Sequence, residues 1–155
     1  MPPPIYFSHE IRQLEQIALN NGVTDLMERA GLAAAKLARE LLAGKASVLV
    51  IAGPGNNGGD ALVAARHLKS WWFKISVVFA GEAAKLPPDA ANALHAWREA
   101  GGELLDAIPT DGKWDLVIDG LFGIGLAREL SGRYLELVRE INRLNLPVLA
   151  LDVPS

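Results

Sequence analysis

Three short stretches of the chain hold the residues whose types and spacing could do chemistry. The first, Gly53-Pro54-Gly55-Asn56-Asn57-Gly58-Gly59-Asp60, packs four glycines and two asparagines into eight positions, more than a plain connection needs. It follows an apolar run, Ala46 to Ala52, and precedes a segment with Leu62, Val63, Arg66 and His67 at helical spacing. A strand, a glycine-rich turn and a helix together present backbone N–H groups to a phosphate. Glycines without a Cβ let a ligand come close to the main chain. A nucleotide-like ligand is therefore the first expectation. Asn56 and Asn57 can donate an amide proton to a phosphate or lend an oxygen to a cation. Asp60 is suited either to ligand contact or to capping the helix that follows.

The second stretch runs from Asp119 through Gly120, Leu121, Phe122, Gly123, Ile124, Gly125, Leu126 and Ala127 to Arg128. Its glycines free the backbone, and Arg128 could grip a phosphate bidentately. Asp119 closes an apolar strand, where a carboxylate is costly unless it is paired or coordinated. A structural salt bridge would satisfy it equally well. The third stretch is Asp152-Val153-Pro154-Ser155. A carboxylate at the end of a strand is well placed for acid–base work, although a turn cap would use the same residue. The first loop formally matches G-x-G-x-x-G. The acidic residue expected about 20 positions later in a dinucleotide fingerprint has only Glu82 to offer, poorly placed after Phe79-Ala80-Gly81. That argues against an ordinary nicotinamide-dependent dehydrogenase. His9, His67 and His95 have no partner at ligand spacing and read as structural or solvated.

The elements that must position these stretches follow from periodicity. Ser8 can cap a helix to about Asn21, ended by Asn21-Gly22, and Thr24 can cap a second to about Ala43, stopped by Gly44. Strands are expected at 46–52, 73–80, 115–119 and 147–152, with a short one near Glu103-Leu104-Leu105, and helices at 59–70, 89–100 and 132–144. Trp71-Trp72 is expected to open the second strand as a core or interface pair. Strands alternating with helices imply an α/β fold, a three-layer α/β/α sandwich around a mainly parallel sheet. Right-handed crossovers would bring all three chemistry-bearing stretches to one sheet edge, at the carboxyl ends of the strands.

The 155 residues suit one domain, 1–155, with half of them apolar and a fifth charged. The absence of cysteine excludes disulfides and thiolate chemistry. A net charge of −3 without a basic block gives no sign of nucleic-acid or anionic-membrane binding. Met1-Pro2-Pro3-Pro4-Ile5 has no charged or apolar leader region, and no apolar run reaches the ~18 residues of a membrane helix. A soluble, cytoplasmic protein is expected.

Leu26-Met27-Glu28-Arg29-Ala30-Gly31, the loop Gly53 to Asp60, Asp119-Gly120-Leu121-Phe122-Gly123 and Asp152-Val153-Pro154-Ser155 occur in the order and spacing of one family. From about residue 9 onwards the chain resembles the YjeF N-terminal domain family, whose best-known activity is NAD(P)H-hydrate epimerase. The resemblance implies a Rossmann-like fold and an isomerase that interconverts the R and S hydrates of NADH and NADPH (NADHX and NADPHX) in metabolite repair. A dehydratase, fused or separate, then acts on the S form. By the same resemblance Asn56, Asn57, Gly58, Gly59 and Asp60 hold the dinucleotide. Gly123, Ile124, Gly125, Leu126, Ala127, Arg128 and Glu129 complete its site, and Asp152 touches the reacting ring as the acid–base residue. Asn57, Asp119 and Ser155 would coordinate a potassium ion, which would also account for a charged Asp119 at a strand end. Family members resemble dimers, so a homodimer built on the alanine-rich first helices is a further expectation. The sequence has Ala61 where the family commonly has glycine, and Ile124 where threonine is frequent. The family continues beyond the position of Ser155 with a glycine and further strand and helix, which implies that the C-terminal part of the domain is missing. A chain shortened in this way could instead serve as a non-catalytic ligand-binding or interaction module.

Overall fold

The computed structural model describes residues 1–124, 126 and 129–155. Helices α1 (Ser8–Asn20) and α2 (Leu26–Leu42) precede strand β1 (Ser47–Ala52). Helix α3 (Asn56–Ser70), β2 (Lys74–Phe79), α4 (Pro88–Glu99), β3 (Leu116–Gly120), α5 (Gly132–Leu144) and β4 (Val148–Ala150) follow. The four strands form one sheet in the order β2-β1-β3-β4, parallel throughout. Expected and observed elements agree to within a few residues, and the expected short strand near Leu105 is a single parallel bridge to Val78. Among the described residues, no helix is long and apolar enough to cross a membrane.

Alternate residues of β1 face opposite ways, as a strand buried on both sides requires. Val48, Val50 and Ala52 join Val77, Phe79, Leu116 and Ile118 against α2, α3 and α4. Leu49 and Ile51 join Val78, Val117 and Leu121 against Leu137 and Ile141 of α5. The expected three-layer sandwich is therefore present, with α2, α3 and α4 on one face and α5 on the other. Helix α1 contributes no buried residue and belongs to neither core.

Four local expectations differ from the structure. Helix α3 starts at Asn56, three residues before the expected Gly59, because packing overrides the poor helix propensity of Asn and Gly. A Cβ on Gly58 would collide with the Gly53 backbone, and one on Gly59 with the Met27 side chain and Ala90. These glycines are required by contact inside the protein, and neither has a positive φ. Ser8 is the first helical residue of α1, not its cap; Phe7 takes that place and its N–H donates to Glu10 Oε2 at 2.6 Å. Asp25, not Thr24, precedes α2. Trp71 ends α3 and packs on the core, and Trp72 stands 93% exposed at φ 68° in the turn before β2.

Chain order along the sheet reverses at β1: β2 lies on one side of it and β3 on the other. In an open parallel sheet, such a reversal leaves a crevice at the carboxyl ends of the diverging strands. Gly53 and Leu121 are the residues that follow those two ends.

Candidate active site

A cleft of about 1040 Å³ opens at that switch point. Pro54, Gly55, Asn56, Asn57 and Asp60 line it from the first loop and the first turns of α3. Leu121, Phe122, Gly123, Ile124 and Leu126 line it from the second loop, and Asp152 from the turn after β4. The structure thus brings together three stretches far apart in sequence. Gly55 precedes α3 in extended conformation and no side chain among the described residues caps the helix, so the first-turn N–H groups of a 15-residue helix can serve water or a ligand.

Not every expected residue reaches the cleft. Gly58 and Gly59 are buried behind it, where their contacts with Gly53 and Met27 set the position of α3. Glu129 is exposed and does not line it. Gly125, Ala127 and Arg128 lie outside the described residues. Ala61 is fully buried within α3, without a positive φ, so alanine is unstrained there.

Asp152 sits just beyond β4 with φ 69°, in the left-handed region. Aspartate tolerates this conformation better than most residues, at a cost of about 1 kcal/mol or more. Its Oδ2 accepts the Ile124 N–H at 2.8 Å. Gly123 lies so close that a Cβ there would come within 2.5 Å of the same oxygen. Oδ1 is not engaged by this contact. One carboxylate oxygen is therefore fixed by the second loop while the group as a whole remains exposed in the cleft.

Among the described residues, Asp119 is the buried charged residue, 6% exposed. Its Oδ1 accepts the Leu121 N–H at 3.1 Å and the Ser155 hydroxyl at 2.8 Å, and Oδ2 accepts the Ser155 N–H at 2.9 Å. Ser155 Oγ in turn accepts the Phe122 N–H at 3.1 Å. These bonds supply what a buried carboxylate requires, so neither a salt bridge nor a cation is needed to explain its burial. Asp119 and Ser155 form a support behind the cleft wall. The side-chain amide nitrogen of Asn57 is buried without a hydrogen-bond partner among the described residues. In an amide, the oxygen and nitrogen positions are exchangeable assignments, so this site could equally present an oxygen.

Asp60 faces the cleft from the second turn of α3, too far along the helix to cap it, which removes one of its two expected roles. Burial, followed by the nearby charges of Asp152 and Glu15, pushes its carboxyl up to about 7. Asp60 and Asp152 line the same cleft, close enough for the charge of Asp152 to help keep the proton on Asp60.

The sequence of residues 23–155 matches the family described as YjeF-related protein N-terminus. The chain belongs to this family. A protein from Bordetella pertussis named NAD(P)H-hydrate epimerase is 49% identical over 146 residues, which is 94% of this chain and 63% of that protein. A protein from Leishmania braziliensis named bifunctional NAD(P)H-hydrate repair enzyme is 42% identical over 137 residues, 84% of this chain and 24% of its own length. The chain thus spans less than two thirds of the length of the Bordetella relative. Among solved structures, the crystal structure of yeast ynu0 superposes with a TM-score of 0.81 at 25% identity, over 99% of this chain and 71% of that one.

A fourth wall of the cleft was not among the expected site residues. Ile11, Arg12 and Glu15, on one face of α1, complete it. Their i, i+1, i+4 spacing is that of any amphipathic helix, so no local signal marked them.

Proposed function

We propose that this chain interconverts the R and S hydrates of NADH and NADPH, the substrates named in its relatives. The supporting observation is Asp152, an exposed carboxylate held by the Ile124 N–H in a cleft at the switch point, with Asp60 as its neighbour. The C6 hydroxyl of the hydrate is a hemiaminal next to the ring nitrogen. Asp152, as the general acid, gives a proton to that hydroxyl. The C6–O bond breaks, water leaves, and the nitrogen lone pair forms an iminium cation. The Asp152 carboxylate left by this step stabilises the cation. Water then adds to C6 from the opposite face and returns its proton to Asp152, now the general base. Nothing is oxidised or reduced, and the proton is regenerated. The N-terminal end of α3, with Asn56 and Asn57, suits the pyrophosphate.

A potassium ion fits the oxygen-rich chemistry of Asp119, Ser155 and the unpartnered Asn57 amide. When bound there, it would supply a fixed positive charge behind the second loop. The S hydrate would pass to a dehydratase, consistent with a bifunctional relative.

The test is epimerisation of purified R hydrate, with loss of R and gain of S followed by chromatography, with and without potassium. The wild-type chain is expected to reach the R/S equilibrium faster than buffer does. Asp152→Asn, which can keep the Ile124 contact and the backbone conformation, is expected to lose at least about 100-fold in rate. A wild-type rate in Asp152→Asn refutes the assignment of the acid–base residue. No acceleration by a folded wild-type chain refutes the function.

A further inference from the structure

Helix α1 has no buried residue and joins neither core, yet Ile11, Arg12 and Glu15 form a wall of the cleft. The charge around the cleft is unbalanced. Among the described lining residues the acids are Glu15, Asp60 and Asp152, and Arg12 is the one cation. A dinucleotide brings a pyrophosphate with two further negative charges. Uncompensated, these would be repelled by the carboxylates that the ring chemistry needs. The α3 N-terminus offers partial positive charge at the cleft. A full charge with a planar donor fork is what a phosphate takes up most readily, and arginine provides it. Arg12 forms no salt bridge among the described residues, although Glu15 lies one helical turn away.

We propose that Arg12 is a phosphate-binding residue, and that α1 is positioned to hold the pyrophosphate of the dinucleotide against the first turn of α3. The inference rests on the dinucleotide reading above. Helix α1 then acts as a binding arm rather than a core element, and Arg12 sorts ligands by whether they carry phosphate. Glu15, on the same face, stays on the carboxylate side of the cleft, where its charge acts on Asp60.

Calorimetric titration of the full chain with ADP-ribose, which has the pyrophosphate but no nicotinamide, tests this against nicotinamide riboside, which has the ring but no phosphate. Arg12→Ala is expected to weaken ADP-ribose binding about 10- to 100-fold, the loss of a charge-assisted contact. Arg12→Lys should recover part of it, with nicotinamide riboside affinity unchanged. In the epimerisation assay, the loss should fall on KM rather than kcat. Equal ADP-ribose affinity in wild type and Arg12→Ala overturns the proposal. So does equal weakening of both ligands, which would mean that α1 merely shapes the cleft. If the wild-type chain binds ADP-ribose through Arg12 yet does not epimerise, the epimerase reading fails and the Arg12 site stands. If the wild-type chain binds no ADP-ribose, both fail.

Discussion

Asp60→Asn isolates the energetic cost of burying the Asp60 carboxyl beside Asp152 and Glu15. In the folded chain Asp60 holds its proton up to about 7, against an ordinary value of 3.8. Between those values the native state keeps a proton that the unfolded chain has released. The contribution of Asp60 to stability is therefore fully present below about pH 4 and is lost as pH rises through about 7. At about 1.4 kcal/mol per pH unit, the ceiling on that loss is about 4 kcal/mol. Asp60 faces cleft water and is only partly buried, so screening cuts this to about 2 kcal/mol at pH 8.5 and below about 1 kcal/mol at pH 5. Asparagine has nearly the same shape and no charge to desolvate, so the variant should recover this cost. Each kcal/mol moves the melting temperature of a domain this size by about 2–4 °C. Asp60→Asn should therefore melt about 4–8 °C above wild type at pH 8.5 and only about 1–3 °C above it at pH 5. Thermal unfolding followed by circular dichroism at the two pH values measures both gains. Equal gains, or a loss at pH 8.5, would refute a raised Asp60 carboxyl.

Gly123→Ala should push the Asp152 carboxylate off the Ile124 N–H and lower epimerisation kcat about 10- to 100-fold, with the melting temperature nearly unchanged; a wild-type rate would refute a tight second loop. Gly58→Ala drives a Cβ into the Gly53 backbone and should cost about 1–3 kcal/mol in urea unfolding, whereas an unchanged midpoint would contradict that contact. Asp119→Ala leaves the Ser155 and Leu121 N–H groups without their acceptor and should cost about 2–4 kcal/mol by the same measurement. It should also remove any acceleration by potassium, and retained potassium dependence would place the ion elsewhere.

The α/β layering was legible because β1 and β3 are continuous apolar runs and the helices keep a clear period. The three cleft stretches were legible because glycine, asparagine and aspartate gathered at strand ends have few other uses. Three features were hidden by long-range causes. The early start of α3 depends on Gly58 meeting Gly53 and Gly59 meeting Met27, contacts that no local propensity encodes. The raised Asp60 carboxyl depends first on its burial in the fold, then on Asp152, 92 positions later, and on Glu15. Arg12 belongs to a helix whose sequence looks like any solvated amphipathic helix.

One residue joins the parts of the site that sequence separates most widely. The Asp119 carbonyl accepts the Leu151 N–H at 2.9 Å, extending the pairing of β3 and β4 by one step to the residue before Asp152. Its carboxylate receives the Leu121 N–H at the root of the second loop and both donors of Ser155. The loop that fixes the Asp152 carboxylate and the turn that holds its backbone at φ 69° are thus anchored on the same side chain. A β4 of three residues could not impose a left-handed aspartate by itself. Asp119 adds two fixed points on either side of it, Leu121 and Ser155, bonded to a side chain that is itself buried. Its buried charge is then a means of holding the two sides of a carboxylate trap in register, which is why a polar residue stands where the strand pattern calls for an apolar one.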